Sequence, residues 1–234
     1  MPGVVATRPL AGALVRLEPL GRHHADALTA AAGEDRRTYR YTAVPEGDEG
    51  VGRYVAELLA DHAAGRSISF AQIRVADGQP VGVTRFLNIR TLPGGVVPFA
   101  LEIGGTWLAA SAQGTGVNTE AKLLLLEEAF GSWGVGRADF KTDARNERAR
   151  AALAALGASF EGTLRCWQPS RVAGEEGQLR DTAMYSIVAP EWPAVRRRLA
   201  ARVARAAERA HARGGAGPSS LPKSKLTTDD TSRS

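Results

Sequence analysis

Residues 107–122 read Trp-Leu-Ala-Ala-Ser-Ala-Gln-Gly-Thr-Gly-Val-Asn-Thr-Glu-Ala-Lys. The order predicts the end of a strand, a glycine-rich loop and the start of a helix. Gly114 and Gly116 let backbone N–H groups converge with no Cβ in the way. A helix opening near Thr119 adds its unpaired N–H groups and the positive end of its dipole. Together these suit a pyrophosphate. Two rival phosphate loops do not match. A Walker loop closes on Gly-Lys-Ser/Thr, which the chain lacks. The dinucleotide pattern G-x-G-x-x-G would start at Gly114 but meets Thr119 in its third place. By itself the segment also suits a plain strand–helix turn.

Working outward, the apolar period alternates between two and that of a helix. Upstream, Leu14–Leu17 reads as a strand ended by Pro19, and His24–Ala32 as a short helix. Glu34–Gly50 is polar and turn-rich. Val51, Tyr54, Val55, Leu58 and Leu59 carry helical spacing over Val51–Ala63. Ala71, Ile73 and Val75 then alternate up to Asp77-Gly78, a hairpin signal, with Val81 and Val83 beyond it and a second strand running to Ile89. Val96–Leu108 is a long strand with Gly104-Gly105 inside it, which predicts a bulge or a close backbone approach. Downstream the order is helix (Thr119–Trp133), strand (Ala138–Thr142), helix (Asn146–Leu156), then strands Ser159–Trp167 and Asp181–Val188. An Arg-rich helix follows Pro190. This is an α/β layout with a mixed sheet, antiparallel early, with one parallel crossover through Thr119–Trp133.

The chain has 234 residues, which suits one domain plus extensions. Charged residues make up 24%, a globular composition rather than a disordered one. One cysteine, Cys166, and four histidines exclude an internal disulfide and argue against a zinc cluster. No apolar run is long enough for a membrane span, and Met1–Leu10 has no signal-peptide core. A cytoplasmic protein is expected. The formal net charge is +5, yet Arg196–Arg213 alone holds seven arginines against one acid, Glu208. The basic character therefore belongs to one helix, and a globule gripping nucleic acid over its whole surface is not supported.

Gln113-Gly-Thr-Gly116-Val-Asn118 resembles the acyl-CoA loop Q/R-x-x-G-x-G/A of the GNAT superfamily of N-acetyltransferases, with Asn118 where Gly or Ala is usual. Leu101-Glu-Ile-Gly104, Thr119-Glu-Ala-Lys122, Asp143–Arg148, Leu156-Gly-Ala158, Phe160-Glu-Gly162 and Arg180–Ser186 resemble, in order, the RimJ/RimL-like branch that acetylates ribosomal-protein N-termini. The resemblance covers about residues 12–192, leaving 193–213 as an Arg-rich helix and 214–234 as a tail of disordered composition. It implies a mostly antiparallel sheet with helices on both faces and a splayed central strand pair. It also implies acetyl-CoA as cosubstrate, no metal, and an amine acceptor, either a protein N-terminus or a small molecule. A homodimer stays open.

The same resemblance assigns parts. The backbone of Trp107 and Leu108 would pair with the pantetheine arm like an added strand. Gln113, Gly114, Thr115, Gly116, Val117, Asn118 and Thr119 would wrap the pyrophosphate. Asn146 would bond pantetheine or water near the thioester, or simply cap its helix. Arg148 and Arg150 are either phosphate-facing or solvated. Acetyl transfer needs a neutral amine, so something must take its proton. Glu102, in the apolar run Phe99–Ile103, is the candidate base; the alternative is a sheet carboxylate bonded to a neighbouring Arg or to backbone. No acid is evident: Leu153 and Ala149 stand where relatives place Tyr and Ser, leaving Ser111 and Tyr185. Trp107 is read as core or acceptor wall, as are Tyr39 and Tyr41. His23 and His24 are read as surface residues. The stripe Val195, Leu199, Val203, Ala206, Ala210 could dock weakly on the body or a partner with the Arg faces solvated; a solvated extension is preferred to an RNA or acidic-partner contact. On that reading, deleting residues 196–234 leaves acetyl-CoA binding intact. A non-catalytic CoA-binding or ribosome-associated module remains the alternative function.

Overall fold

A computed structural model describes residues 7–214. Eight strands form one sheet: β1 (Leu10–Ala11), β2 (Val15–Pro19), β3 (Ser67–Arg74), β4 (Pro80–Thr91), β5 (Pro98–Leu108), β6 (Arg137–Asp143), β7 (Ser159–Pro169) and β8 (Leu179–Val188). Their order is β1-β2-β3-β4-β5-β6-β8-β7. All neighbours are antiparallel except β5 and β6. Five helices accompany them: α1 (Ala25–Gly33), α2 (Gly47–Ala63), α3 (Val117–Glu127), α4 (Glu147–Leu156) and α5 (Trp192–Gly214). Ser67–Ile73 of β3 is buried at every position, so both faces of the sheet are covered there. Helices α1 and α2 pack on each other and on β4 and β3, while α3 packs on β2 and α5.

Helix α2 starts four residues before the expected Val51, because Asp48 and Glu49 suit the positive end of a helix. Its apolar stripe buries Val51, Val55 and Leu58. Helix α3 ends as an α-helix at Glu127 and widens into a π turn over Glu128–Ser132, short of the expected Trp133. The expected bulge is present in β5. Val83 pairs with Trp107 but Arg85 pairs with Gly104, so β5 holds one extra residue, with Gly105 at φ +56°. The amide of the fully buried Gln72 donates to the carbonyls of Val83 and Trp107, at 3.1 and 3.2 Å, across this irregularity.

Strands β5 and β6 pair only at Ala100–Arg137, Leu101–Ala138 and Glu102–Asp139. Beyond Glu102 they part, and Ile103–Leu108 has no β6 neighbour. This is the splayed pair, and the glycine loop lies at its far end.

The C-terminal helix departs from expectation. Val195, Leu199, Val203 and Ala206 are buried, and Leu199 is 0% exposed. The stripe joins the core as far as Ala206, because an amphipathic helix beside α3 removes its apolar face from water, while Ala210 stays exposed. Residues beyond 192 therefore pack against the body through α5. Of the expected tail, 214–234, Gly214 is the last residue of α5, and 215–234 lie outside the described residues.

Candidate active site and phosphate loop

The loop is built by local chemistry. A 3-10 turn over Ala110–Ala112 leads to Gln113, and Gly114 and Gly116 adopt φ of +74° and +103°. The Thr115 hydroxyl donates to the Ala112 carbonyl at 2.7 Å and accepts weakly from the Val117 N–H at 3.4 Å. Among the described residues, the backbone N–H groups of Gly114, Thr115, Gly116, Asn118 and Thr119 donate to no other protein group. These donors are left without a protein acceptor beside a helix N-terminus, which suits an anion.

Gln113 has a different task from its neighbours. Its amide nitrogen donates to the Leu108 carbonyl at 2.9 Å and the Thr38 hydroxyl at 3.1 Å. Its amide oxygen accepts from Arg148 at 2.8 Å, and Arg148 also donates to the Thr38 carbonyl. Gln113 and Arg148 thus staple the loop to α4 and to the turn over Arg36–Tyr39. Arg150 likewise is turned inward, toward the Tyr185 hydroxyl at 3.3 Å and the Ala144 carbonyl at 3.2 Å. Both arginines thus hold acceptors within the protein, and among the described residues neither has a carboxylate partner.

Trp107 and Leu108 are both buried. The Leu108 carbonyl accepts from Gln113 and from the Tyr39 hydroxyl, the latter at 3.1 Å. Any amide pairing with that carbonyl competes with two donors already seated. Tyr39 is therefore core, whereas Tyr41 lies half-buried between the guanidinium groups of Arg40 and Arg145, 5.1 and 5.3 Å from its ring centre.

At the apex of the splay stands Glu102, 5% exposed. One carboxylate oxygen accepts from the Asn88 amide at 2.7 Å and from the Lys141 ammonium at 3.0 Å. Asn88 holds φ +47°, uncommon for a side-chain-bearing residue. The neighbouring acid Asp139 is bridged to Arg137 and Arg90. Glu102 lies where the strands part, and its side-chain partners are Lys141 and Asn88 rather than the expected Arg or backbone. Asn146 caps α4, its side-chain oxygen accepting from the Ala149 N–H at 3.0 Å; its amide nitrogen has no partner among the described residues. Ser111 faces Glu34 and Arg74, and Tyr185 is buried against Arg150. Neither stands at the splay apex in these contacts.

Two features of the Thr119–Lys122 run were not legible as chemistry. The Glu120 carboxylate accepts the backbone N–H groups of Ala13, Leu14 and Val15 at 2.6–2.8 Å, tying the β1–β2 turn to α3. Lys122 is buried, and its ammonium donates to the hydroxyls of Thr106 at 2.6 Å and Thr84 at 3.1 Å. Burial pulls its pKa down to about 7. A third surprise is His24, expected at the surface but buried, with one ring nitrogen accepting from the Gly21 N–H and the other 3.2 Å from Glu18. Glu18, His23 and His24 bring their ligand atoms within 4.8 Å of one another. Both His24 nitrogens are already engaged within the protein.

The comparisons agree with this geometry. Residues 15–159 match the model of the acetyltransferase (GNAT) domain. A search of curated proteins found no match. A GCN5-related N-acetyltransferase from Brucella melitensis is similar in structure, at TM-score 0.73 and 26% identity, over 86% of this chain and 87% of that one. An acetyltransferase structure from T. thermophilus gives 0.70 and 33%, over 85% and 98%. Mycobacterium smegmatis RimJ, solved with CoA-disulfide, gives 0.67 and 26%, over 83% and 93%. With a free-donor loop at one end of a parting strand pair, and a family match over most of the domain, this chain belongs to the GNAT acetyltransferases.

Proposed function

We propose that the protein is an N-acetyltransferase that moves an acetyl group from acetyl-CoA to a primary amine by direct attack in a ternary complex. Acetyl-CoA is the donor that GNAT acetyltransferases use. The observation that carries the reading is the parting of β5 from β6 at Glu102, with the glycine loop at the far end of β5. The splay offers unpaired strand backbone for pantetheine, and the free N–H groups of Gly114, Thr115, Gly116, Asn118 and Thr119 offer donors for the pyrophosphate. Bound there, acetyl-CoA supplies a thioester carbonyl open to an amine and a thiolate leaving group. Within this chain, Glu102 takes the amine proton, directly or through water, while Lys141 and Asn88 hold its carboxylate at the apex. The Asn146 amide nitrogen orients a water or pantetheine group. The acceptor proposed is a protein N-terminus, on the likeness to RimJ, in a cytoplasmic setting; a small-molecule amine is the second choice. The Glu102–Lys141 ion pair also favours a second reading, a CoA-binding module without catalysis. Release of free CoA thiol from acetyl-CoA, with a panel of N-terminal peptides and small amines, separates the two. Thiol release dependent on one acceptor class supports the transferase. Acetyl-CoA binding with no release for any acceptor refutes it.

A further inference from the structure

The seven arginines of Arg196–Arg213 are not equivalent once α5 is seated. Burial of Val195, Leu199, Val203 and Ala206 sets the rotation of the helix. Arg202, Arg205 and Arg209, at i, i+3 and i+7, then share one flank. That flank faces the glycine loop. Arg202, Arg205, Ala206 and Arg209 line a cleft of about 280 Å³ together with Gly114, Gly116 and Thr119. The approach is close: a Cβ added at Gly116 would fall 2.6 Å from the Cβ of Ala206. Arg196, one end away, is neutralised by Glu127 of α3 at 2.8 Å. Among the described residues, Arg202, Arg205 and Arg209 have no carboxylate partner; Arg202 donates to the Ala155 carbonyl. Three guanidinium groups therefore stand uncompensated across a cleft from backbone N–H groups that have no acceptor. Their shared complement is a phosphate-rich anion, which planar guanidinium forks bind in bidentate fashion.

We propose that Arg202, Arg205 and Arg209 of α5 bind the phosphate groups of the CoA moiety across the cleft from Gly114–Thr119, so that the C-terminal helix is half of the cosubstrate site. The inference rests on the acetyl-CoA reading above. It reverses the expectation that residues 196–234 are dispensable for binding. It also gives the basic helix an occupant other than RNA.

The test measures affinities of the full chain and of R202Q/R205Q/R209Q for CoA and 3′-dephospho-CoA by titration calorimetry, with thermal melts as the folding control. Each lost charge-assisted pair is worth roughly ten-fold in affinity, so the triple variant should bind CoA at least about a hundred-fold more weakly. An equal loss for both ligands places the arginines on the pyrophosphate; a loss confined to CoA places them on the 3′-phosphate. Affinities within about three-fold of the parent, in a variant that melts normally, overturn the proposal. So does a variant that keeps CoA affinity but loses binding of an RNA oligonucleotide, which would assign the flank to nucleic acid. Should the triple variant not fold, R205Q/R209Q serves, since both side chains are exposed. A parent chain that binds no CoA at all refutes the acetyl-CoA reading itself, a distinct result.

Discussion

Lys122→Met should make the protein's stability less dependent on pH. Lys122 is 6% exposed, and its ammonium rests on two hydroxyls with no carboxylate in ion-pair range among the described residues. Burial lowers its pKa from 10.5 to about 7. Between those values the unfolded chain holds a proton that the folded chain has released. Stability therefore rises with pH across that window and reaches its low plateau below pH 7. Each pKa unit corresponds to about 1.4 kcal/mol, so the full window spans up to ~5 kcal/mol and the interval from pH 7 to 9 about 2–3 kcal/mol. Methionine keeps an unbranched side chain, shorter by one atom, and removes the charge. The Thr84 and Thr106 hydroxyls, 2.8 Å apart, can satisfy each other. Urea melts at half-unit steps from pH 6.5 to 9 would give unfolding free energies for both proteins. The gap between them should shrink by about 2–3 kcal/mol as pH rises, with the variant ahead at pH 7. Two parallel curves would refute the reasoning, because Lys122 would then carry the same charge in both states.

Glu102→Gln should lower turnover by roughly 10²–10⁴ with little change in acetyl-CoA affinity, and its rate should recover at high pH, where free amine forms unaided; turnover within a few-fold at pH 7 would make Glu102 structural. Gly116→Ala meets both a φ of +103° and the 2.6 Å approach to Ala206, so it should cost roughly 1–3 kcal/mol in urea melts and loosen α5 in hydrogen exchange. An unchanged melt would show that α5 does not press on the loop. Leu199→Ala removes a fully buried side chain and should cost about 2–5 kcal/mol. A cost below about 0.5 kcal/mol would return α5 to the status of a solvated extension.

The strand–glycine–helix order around Gly114 and Gly116 was readable because it depends on contacts within a few residues: positive φ, a helix N-terminus, an abrupt change of period. The Gly104-Gly105 bulge was readable for the same reason. The parallel pairing of β5 with β6 was foreseen as a crossover, but its end at Glu102 was expected only through resemblance. Residue types also flagged Glu102 as odd in an apolar strand. They did not reveal Lys141 or Asn88 beside it, since those arrive from β6 and β4.

Sequence by itself determined the order of elements, the phosphate-suited loop and the confinement of positive charge to one terminal helix, because each rests on local backbone preference or on counting. Tertiary structure alone decided which groups were spent and which left free. Gln113 and Arg148 became staples once α4 and the Arg36–Tyr39 turn reached the loop. Lys122 became a buried amine once β4 and β5 supplied two hydroxyls and no charge. Docking of α5 turned a run of arginines with uniform composition into a paired one at Arg196 and an uncompensated flank at Arg202, Arg205 and Arg209. The physical reason is that a side chain's charge, hydration and hydrogen bonding are set by neighbours dozens of residues away, which periodicity in one chain does not encode.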